Sequence, residues 1–336
     1  MDSLTHIVLG ACIGELVAGK KLGKKAMLLG AIAQSIPDID VVASFWLNTS
    51  SDLLAHRGFT HSILFALLVS PMLALLSRRW FRKNDIPFST WLFFWGIQIF
   101  IHIFIDSFNA YGTGWLEPFS HHRFSFNAIF VADPLYTIWL AIACIALLVL
   151  KKTSNKRRAW AKFGLVISTL YFISCVLNKI LIDNTVSSVL KDKHLAFSRY
   201  FTTPTPLNNL LWFIVAENDS GYYIGYRSVF DKNNLIPLRY VYRNDFLLEP
   251  LKDNEDLKHL KRFSQGYYTA ENWHDTLVFN DLRFGDMGGW KYPDAKFVFH
   301  FYLQPPLKNK MVVQRGRFAG WDKDVVLSLL KRIKGN

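Results

Sequence analysis

Long apolar runs separated by short basic segments dominate the first half of the chain. Four runs approach the roughly 20 residues that a helix needs to cross the core of a bilayer: they are 62–77, 90–106, 134–150 and 163–182. The earlier apolar segments 4–19 and 26–47 are shorter or interrupted, and we interpret them as short spans or re-entrant helices. The pattern predicts a mainly α, polytopic transmembrane helical bundle over residues 1–182.

The second half of the chain has a different pattern, in which apolar and polar residues alternate between turn signals. This alternation predicts strands at Leu210–Val215, Tyr222–Phe230, Leu238–Tyr242, Thr276–Leu282 and Lys296–Leu303, with helices at Asp253–Phe263 and Asp322–Ile333. We therefore predict a soluble α+β domain over residues 183–336. The stretch around Pro204 and Pro206 is predicted to connect it to the helical part.

The charge is positive overall, at +13 with 39 Lys and Arg residues, but its distribution argues against nucleic acid as a partner. The densest basic clusters, Lys20–Lys25, Arg78–Lys83 and Lys151–Lys162, are short and lie between apolar runs. That arrangement is typical of the cytoplasmic loops of a multi-pass protein of the cell membrane. With these loops in the cytoplasm, the C-terminal domain is predicted to be extracytoplasmic.

One apolar run, 90–106, contains a histidine and an aspartate near its end. His102 and Asp106 are four residues apart, so they lie on one face of a helix. A carboxylate at hydrocarbon depth is costly and usually faces a partner, a wet cavity or an ion. This pair could supply a nitrogen and an oxygen to a divalent cation.

Other histidines and aspartates fall at the same, outer ends of the predicted spans. They are His6, Asp38, Asp40, His56, His61, His121 and His122. Nitrogen and oxygen ligands without cysteine suit zinc, with manganese and iron as alternatives. Their number exceeds what one metal needs, which favours a hydrolytic site with two or three metals.

Each candidate also has a plain structural interpretation. A lone His6 in an apolar segment is more often a buried, hydrogen-bonded histidine than a ligand, and Asp38 and Asp40 could cap a helix. His56 and His61 could be an ordinary loop pair, and His121 and His122 could be exposed. Arg57 and Arg123 are more often solvated or in contact with lipid headgroups than substrate clamps.

The order of these motifs resembles the membrane-bound metal-dependent hydrolase family (YdjM-like). The similarity covers about 1–182 and rests on His6, Ile36-Pro-Asp-Ile-Asp40, His56-Arg-Gly-Phe-Thr-His-Ser62, His102-x-x-x-Asp106 and Glu117-Pro-Phe-Ser120. The family is itself distantly similar to zinc-dependent phospholipase C. That resemblance implies metal binding by His6, Asp38 or Asp40, His61, His102 and Asp106. The later HxxxE pair of the phospholipases has no counterpart here.

These observations lead to a metal-dependent hydrolase of the membrane, acting on a phosphoester of a lipid or lipid-linked substrate. Asp38 or Asp106 would orient the metals, and Arg57 could hold the phosphate through two hydrogen bonds. Two other classes stay open. An ion or proton transporter would carry polar residues along whole helices, whereas a structural or regulatory membrane protein would use a metal only to tie its helices together. The oligomeric state is not determined.

Overall fold

The computed structural model describes residues 1–303, 310–311 and 321–335, which form two compact units. The helical unit comprises Met1–Val42 and Ala55–Val176, and the sheet unit comprises Ala43–Leu54 and Leu177–Asn336. The short segment Ala43–Leu54 therefore belongs to the sheet unit, although the helical unit flanks it on both sides along the chain. The division at residue 182 into two functional domains stays a prediction.

Seven α-helices occupy the first 192 residues. They are α1 (Ser3–Leu22), α2 (Lys24–Ser35), α3 (Thr49–Ala55), α4 (Ile63–Trp80), α5 (Phe88–Asp106), α6 (Pro134–Val149) and α7 (Lys156–Asp192). Among the described residues, α1, α4, α5 and α7 are long and apolar enough to cross a membrane. Every apolar run identified in the sequence is confirmed as helical.

The segment 26–47 is broken where its proline predicted a break. Helix α2 ends at Ser35, and a 3-10 helix, Pro37–Phe45, continues at an angle of 57° to it. The bend allows Asp38 and Asp40 to lie on backbone outside the regular α-helix.

Helices α1 and α2 pack at unusually short range through two glycines. A Cβ atom added to Gly10 would lie 2.2 Å from the carbonyl oxygen of Gly30, and one added to Gly30 would lie 2.0 Å from that of Gly10. Since no side chain fits at such distances, both positions need glycine, and small residues of this kind let membrane helices approach closely.

Helix α5 turns one continuous face toward the interior of the helical unit. Trp91, Trp95, Ile99, His102 and Asp106 follow the three- and four-residue spacing of a helix face, and all are buried. The aromatic end of this face lies in an apolar cluster. The histidine and aspartate occupy the opposite end of the same face, where polar partners replace apolar ones.

Helix α7 is longer than its predicted membrane segment of 163–182. It runs unbroken for 37 residues, and its last turns belong to the sheet unit. There Ile182, Val186 and Leu190 pack with Trp212 and Ile214. The predicted connection through Pro204 and Pro206 is wrong, since the helix continues past 182 and Pro204 lies within a strand.

In the part of the sheet unit that the structure describes, there are two antiparallel sheets of four strands each. The first has the order β1 (Arg199–Pro204), β2 (Leu211–Glu217), β3 (Gly221–Ser228) and β4 (Leu238–Tyr242). The second has the order β5 (Tyr268–Trp273), β6 (Thr276–Asp286), β7 (Phe297–Leu303) and β8 (Lys310–Met311). Helices α8 (Glu255–Phe263) and α9 (Lys323–Ile333) complete the described part.

The register of the first sheet explains its apolar core. Phe201 lies opposite Val215, which in turn lies opposite Ile224. These side chains share a core cluster with Leu282 and Phe297 of the second sheet. The five predicted strands and two predicted helices are confirmed, with small shifts at their ends.

Strands β1, β5 and β8 were not predicted. Strand β1 ends in a proline, which argues against a strand interior, and β5 carries Glu271 and Asn272 where an apolar alternation would be expected. Strand β1 pairs with β2, and β5 pairs with β6, along most of one edge, and this pairing supplies their backbone hydrogen bonds. That long-range pairing is not encoded in the local pattern.

Candidate metal centre

Three separate parts of the helical unit bring imidazoles and carboxylates together. Helix α5 supplies His102 and Asp106, whose side chains are fully buried. The 3-10 helix after Pro37 supplies Asp38, whose side chain is 21% exposed. A second short 3-10 helix, Phe59–His61, supplies His61 at its last position, also fully buried.

Four ligand atoms from these residues converge on one point. The Nε2 atoms of His61 and His102 are 3.1 Å apart. Asp38 Oδ1 lies 3.5 and 3.4 Å from them, and Asp106 Oδ2 lies 3.6 and 3.8 Å from them. All four atoms lie within 4.8 Å of one another. Ligands about 2.0–2.2 Å from a tetrahedral zinc ion would be separated by about 3.3–3.6 Å, so the donor set fits such an ion closely.

The second nitrogen of each histidine fixes the direction of the first. His102 Nδ1 lies 2.5 Å from the backbone oxygen of Gln34, which can only accept a hydrogen bond. His61 Nδ1 lies 3.3 Å from Asp40 Oδ2. Both Nδ1 atoms are therefore the donors, so in the neutral form of both rings the Nε2 lone pairs face each other. Only a shared proton or a shared cation makes that approach favourable.

The electrostatic environment at this point favours positive charge. Burial alone would lower the pKa of His61, but the neighbouring carboxylates of Asp106, Asp38 and Asp40 outweigh it and raise the pKa to about 9. In addition, Asp106 Oδ2 is buried and accepts no hydrogen bond of good geometry. Its charged neighbour is Arg57, whose Nε lies 3.1 Å away. A buried acceptor without a well-aligned hydrogen bond is costly, and a cation would satisfy it.

Asp40 lies beside the cluster and organises the loop that carries His61. Its carboxylate accepts hydrogen bonds from the backbone N–H of Arg57 at 2.8 Å and from Thr60 Oγ1 at 2.9 Å. It also contacts Nδ1 of His56 at 3.0 Å and of His61 at 3.3 Å. Asp40 therefore orients the cluster from outside, while Asp38 points into it.

His6 contacts the cluster from the opposite side of Asp106. Its ring stacks on that of His102 with 3.7 Å between centroids, and its Nε2 lies 3.0 Å from Asp106 Oδ1. Its Nδ1 faces Gln34 Oε1 at 3.1 Å, while the amide nitrogen of Gln34 donates to Gln98. The amino group of Met1 also contacts Asp106 Oδ1.

Arg57 is not the exposed arginine that its loop position suggested. Its side chain is 4% exposed, and its Nε lies 3.1 Å from Asp106 Oδ2. One terminal nitrogen donates to Asn109 Oδ1 at 2.8 Å, and the other faces the backbone oxygen of Met1 at 3.4 Å. With all its nitrogens directed at protein oxygens, Arg57 is not free to clamp a phosphate as we predicted. Arg123 is also largely buried and donates to the backbone oxygen of His56.

The remaining predicted histidines lie apart from the four ligand atoms. His56 is 32% exposed, contacts Asp40 at 3.0 Å, and its ring lies edge-on to that of His61 with 6.3 Å between centroids. His121 is 62% exposed and pairs with Glu117 at 2.9 Å, while His122 packs against Phe124. Sequence reasoning missed Gln34, whose only signal is an amide in an apolar helix.

The helical part of the chain matches a known family of membrane proteins. The model of a family described as YdjM inner membrane protein matches residues 1–181, more than half of the chain. The chain belongs to this family. With four helices of the described residues long and apolar enough to span a bilayer, the family name agrees with a protein integral to the membrane.

Two curated relatives are also similar to the helical part. Inner membrane protein YbcI of Escherichia coli is 34% identical over 123 residues, covering 36% of this chain and 69% of YbcI. The uncharacterized protein YfhP of Bacillus subtilis is 32% identical over 146 residues, covering 41% of this chain and 43% of YfhP. No solved structure matches the chain. Neither relative's name states an activity, so the YdjM family establishes a membrane protein without fixing its chemistry.

Proposed function

We propose that the protein binds a divalent cation through Asp38, His61, His102 and Asp106. The observation that carries this proposal is the 3.1 Å approach of two Nε2 atoms whose Nδ1 atoms are both donors. Two carboxylate oxygens complete the set, and one of them, Asp106 Oδ2, is paired with Arg57 Nε without a hydrogen bond of good geometry. The set of two imidazoles and two carboxylates suits zinc best, with manganese and iron as alternatives.

Asp106 is placed to bridge a second cation. Its Oδ2 faces the four-ligand point, and its Oδ1 faces His6 Nε2 at 3.0 Å. Gln34 Oε1 accepts from His6 Nδ1, so the His6 Nε2 lone pair is directed at Asp106. A second cation could take the place of the proton between His6 Nε2 and Asp106 Oδ1, an oxygen that the Met1 amino group also contacts. Such a cation would make a hydrolytic site of more than one metal.

We further propose that the protein is a hydrolase of phosphoester bonds in a lipid or lipid-linked substrate. When bound, divalent cations stabilise negative charge on a phosphoryl oxygen and acidify water. Asp38 is the ligand that is open to the outside, so substrate would enter beside it. His56, partly exposed and hydrogen-bonded to Asp40, could accept or deliver a proton there. Arg57 would hold Asp106 in place as a positioning residue.

The membrane setting supports a lipid as the substrate, because the helices that carry the site are apolar outside it. The basic loops Lys20–Lys25, Arg78–Lys83 and Lys151–Lys162 support a cytoplasmic location for the opposite ends of these helices. On that basis the site and the sheet unit face the extracytoplasmic side.

A structural metal site is the second candidate, and one observation favours it. Four protein ligands would fill a tetrahedral zinc ion and leave no position for substrate. The partial exposure of Asp38 distinguishes the two candidates, because an exchangeable carboxylate can yield its position to water or phosphate. A transporter is less well supported, since on α5 the titratable residues His102 and Asp106 lie at one end only.

The proposal is tested by the zinc, manganese and iron content of the detergent-purified chain, compared with His102→Gln and Asp106→Asn. We expect stoichiometric metal in the wild type and loss in both variants. Release of phosphate-containing headgroups from mixed phospholipid vesicles by the metal-loaded protein would support the hydrolase, and full metal occupancy without any turnover would support the structural role. Wild type that takes up no metal on reconstitution would contradict both.

A further inference from the structure

The chain between the two ligand-bearing loops of the helical unit makes an excursion into the sheet unit. Asp38 and Asp40 precede it, and His56 and His61 follow it. Between them, Ala43–Leu54 belongs to the sheet unit, and most of helix α3 lies within it. The ends of this segment are thus covalently tied to both halves of the candidate metal centre.

Within the sheet unit, this segment is attached at Ser50. The Ser50 side chain is buried, and its hydroxyl donates to Asp256 Oδ1 at 2.5 Å. His259 Nδ1 lies 3.0 Å from the same hydroxyl. Because the single Ser50 hydrogen is directed to the carboxylate, the His259 N–H is the donor in the second contact. Asn48 adds a weaker contact to Asp256 at 3.4 Å.

The two anchoring residues lie on a well-fixed helix. Asp256 and His259 are three residues apart on α8 and therefore share a face. The buried positions of α8, Leu257, Leu260 and Phe263, hold it in the sheet unit, where Phe263 stacks on Phe299 of β7. A contact to this helix is consequently a contact to a rigid element.

We propose that Asp256 and His259 are positioning residues for the metal centre, acting through Ser50 and the segment Ala43–Leu54. The inference rests on the proposed metal site and adds to it a role for the sheet unit. Both residues lie outside the part of the chain that matches the YdjM family, residues 1–181. The C-terminal extension thereby supplies an anchor for a loop of the family's own helical part.

The physical effect of the anchor is to reduce the conformational freedom of a loop that must be ordered when a cation binds. Asp38 precedes the segment Ala43–Leu54 in the chain and His61 follows it. Asp40, also before the segment, contacts His56 and His61 after it and so brings the two ends of the loop together. Without the anchor, binding would have to order more of the chain. Outer interactions that orient ligands typically change metal affinity by about 10- to 100-fold, and we expect about 10-fold here.

The test measures zinc affinity of the full-length, detergent-solubilised chain by competition with a chelator. Asp256→Ala and Ser50→Ala should each weaken zinc binding about 10-fold, and the double variant should be no weaker than Ser50→Ala alone, because Ser50→Ala already removes the contacts to both Asp256 and His259. Asp256→Asn keeps an oxygen that accepts from Ser50 and should retain most of the affinity. Glu255→Gln is the matched control, since Glu255 is exposed on the same helix and pairs with Lys258 rather than with Ser50.

A second measurement is independent of metal. Amide hydrogen exchange of the metal-free protein should become faster over residues 38–57 in Asp256→Ala, while β2 and β6 keep their protection and show that the sheet unit remains folded. Wild-type affinity in Asp256→Ala, or unchanged exchange over 38–57, would overturn the proposal. If the wild type binds no zinc, the proposed metal site fails, and the exchange data alone then decide whether the anchor orders the loop.

Discussion

The helical unit contains two buried clusters of charged residues that differ in how completely their hydrogen-bonding groups are matched. One joins Glu15 of α1 to Arg157 of α7, and the other is the centre formed around Asp106. The central side chains of both clusters are buried. Burial and charge alone therefore do not distinguish a packing contact from a binding site.

The Glu15–Arg157 pair is internally complete. Arg157 donates to both carboxylate oxygens at 2.8 and 2.6 Å, and its remaining terminal nitrogen donates to the backbone oxygens of Leu147 and Leu150. The two opposite charges compensate each other, and the guanidinium also satisfies the carbonyls at the end of α6. Such a pair has no capacity left for a ligand.

The centre around Asp106 has an excess of acceptors instead. Asp38, Asp40 and Asp106 supply three carboxylates, against which stand the Arg57 guanidinium and the Met1 amino group, and the two histidine Nε2 atoms face each other. What identifies a binding site here is thus the count of unmatched lone pairs at one point. The following predictions test that distinction.

Arg157→Met should have the largest effect on folding. It leaves the Glu15 carboxylate buried without its partner, and removing one member of a buried pair typically costs about 3–5 kcal/mol. We expect a marked loss of thermal stability in detergent, with normal metal content in the fraction that remains folded. Loss of metal at unchanged stability would show that the two clusters are not separate.

His102→Gln should have the opposite pattern, with weakened metal binding in a protein that still folds. It removes one ligand of the four-ligand point but keeps a polar side chain of similar size, so zinc affinity should fall by about 100-fold or more, beyond the range of outer-contact effects. Chelator competition measures this, and added zinc should no longer raise the melting temperature. The exposed His121→Gln is the control and should bind zinc as the wild type does.

Asp40→Asn should have a smaller effect on the same site. Asp40 does not contact the four-ligand point directly but accepts from His61 Nδ1, and an amide orients that imidazole less strongly than a carboxylate does. Zinc affinity should fall by about 10-fold, measured in the same competition assay. A loss as large as that of His102→Gln would show that Asp40 is itself a ligand.

His6→Gln should lower the affinity of the four-ligand point less than either of the two preceding changes, because His6 faces the other oxygen of Asp106 and touches His102 through ring stacking rather than through its Nε2 atom. Its main effect should be the loss of a second equivalent of metal. Metal content by mass spectrometry at saturating zinc tests this. One equivalent in both the wild type and the variant would restrict the centre to a single cation.

The part of the site that depends on helix periodicity could be predicted from the sequence. His102 and Asp106 had to share a face of α5, and the apolar composition of that helix made a buried carboxylate conspicuous. Likewise, Pro37 predicted the break after α2 that frees Asp38 and Asp40 from helical geometry. The overall division into apolar helices followed by a β-rich part is confirmed for the same reason.

The contacts that depend on side-chain direction across the fold could not be predicted. Nothing in the spacing of Asp38 and Asp40 tells which of them points toward His102, since both follow one proline in the same 3-10 helix. Arg57 seemed solvated because its neighbours in sequence suggest a loop, and only the three-dimensional structure places Asp106 against it. The anchor at Ser50 joins residues more than 200 positions apart.

The close packing of α1 on α2 restricts which residue can occupy position 10, although Gly10 is not itself one of the proposed ligands. A methyl group at Gly10 would meet not only Gly30 but also Cγ of Gln34 at 2.7 Å. Gln34 is the residue whose backbone oxygen fixes His102 and whose side chain faces His6. If the centre is under selection, even the methyl group of alanine should therefore not be tolerated at Gly10, which lies one helix turn away from His6.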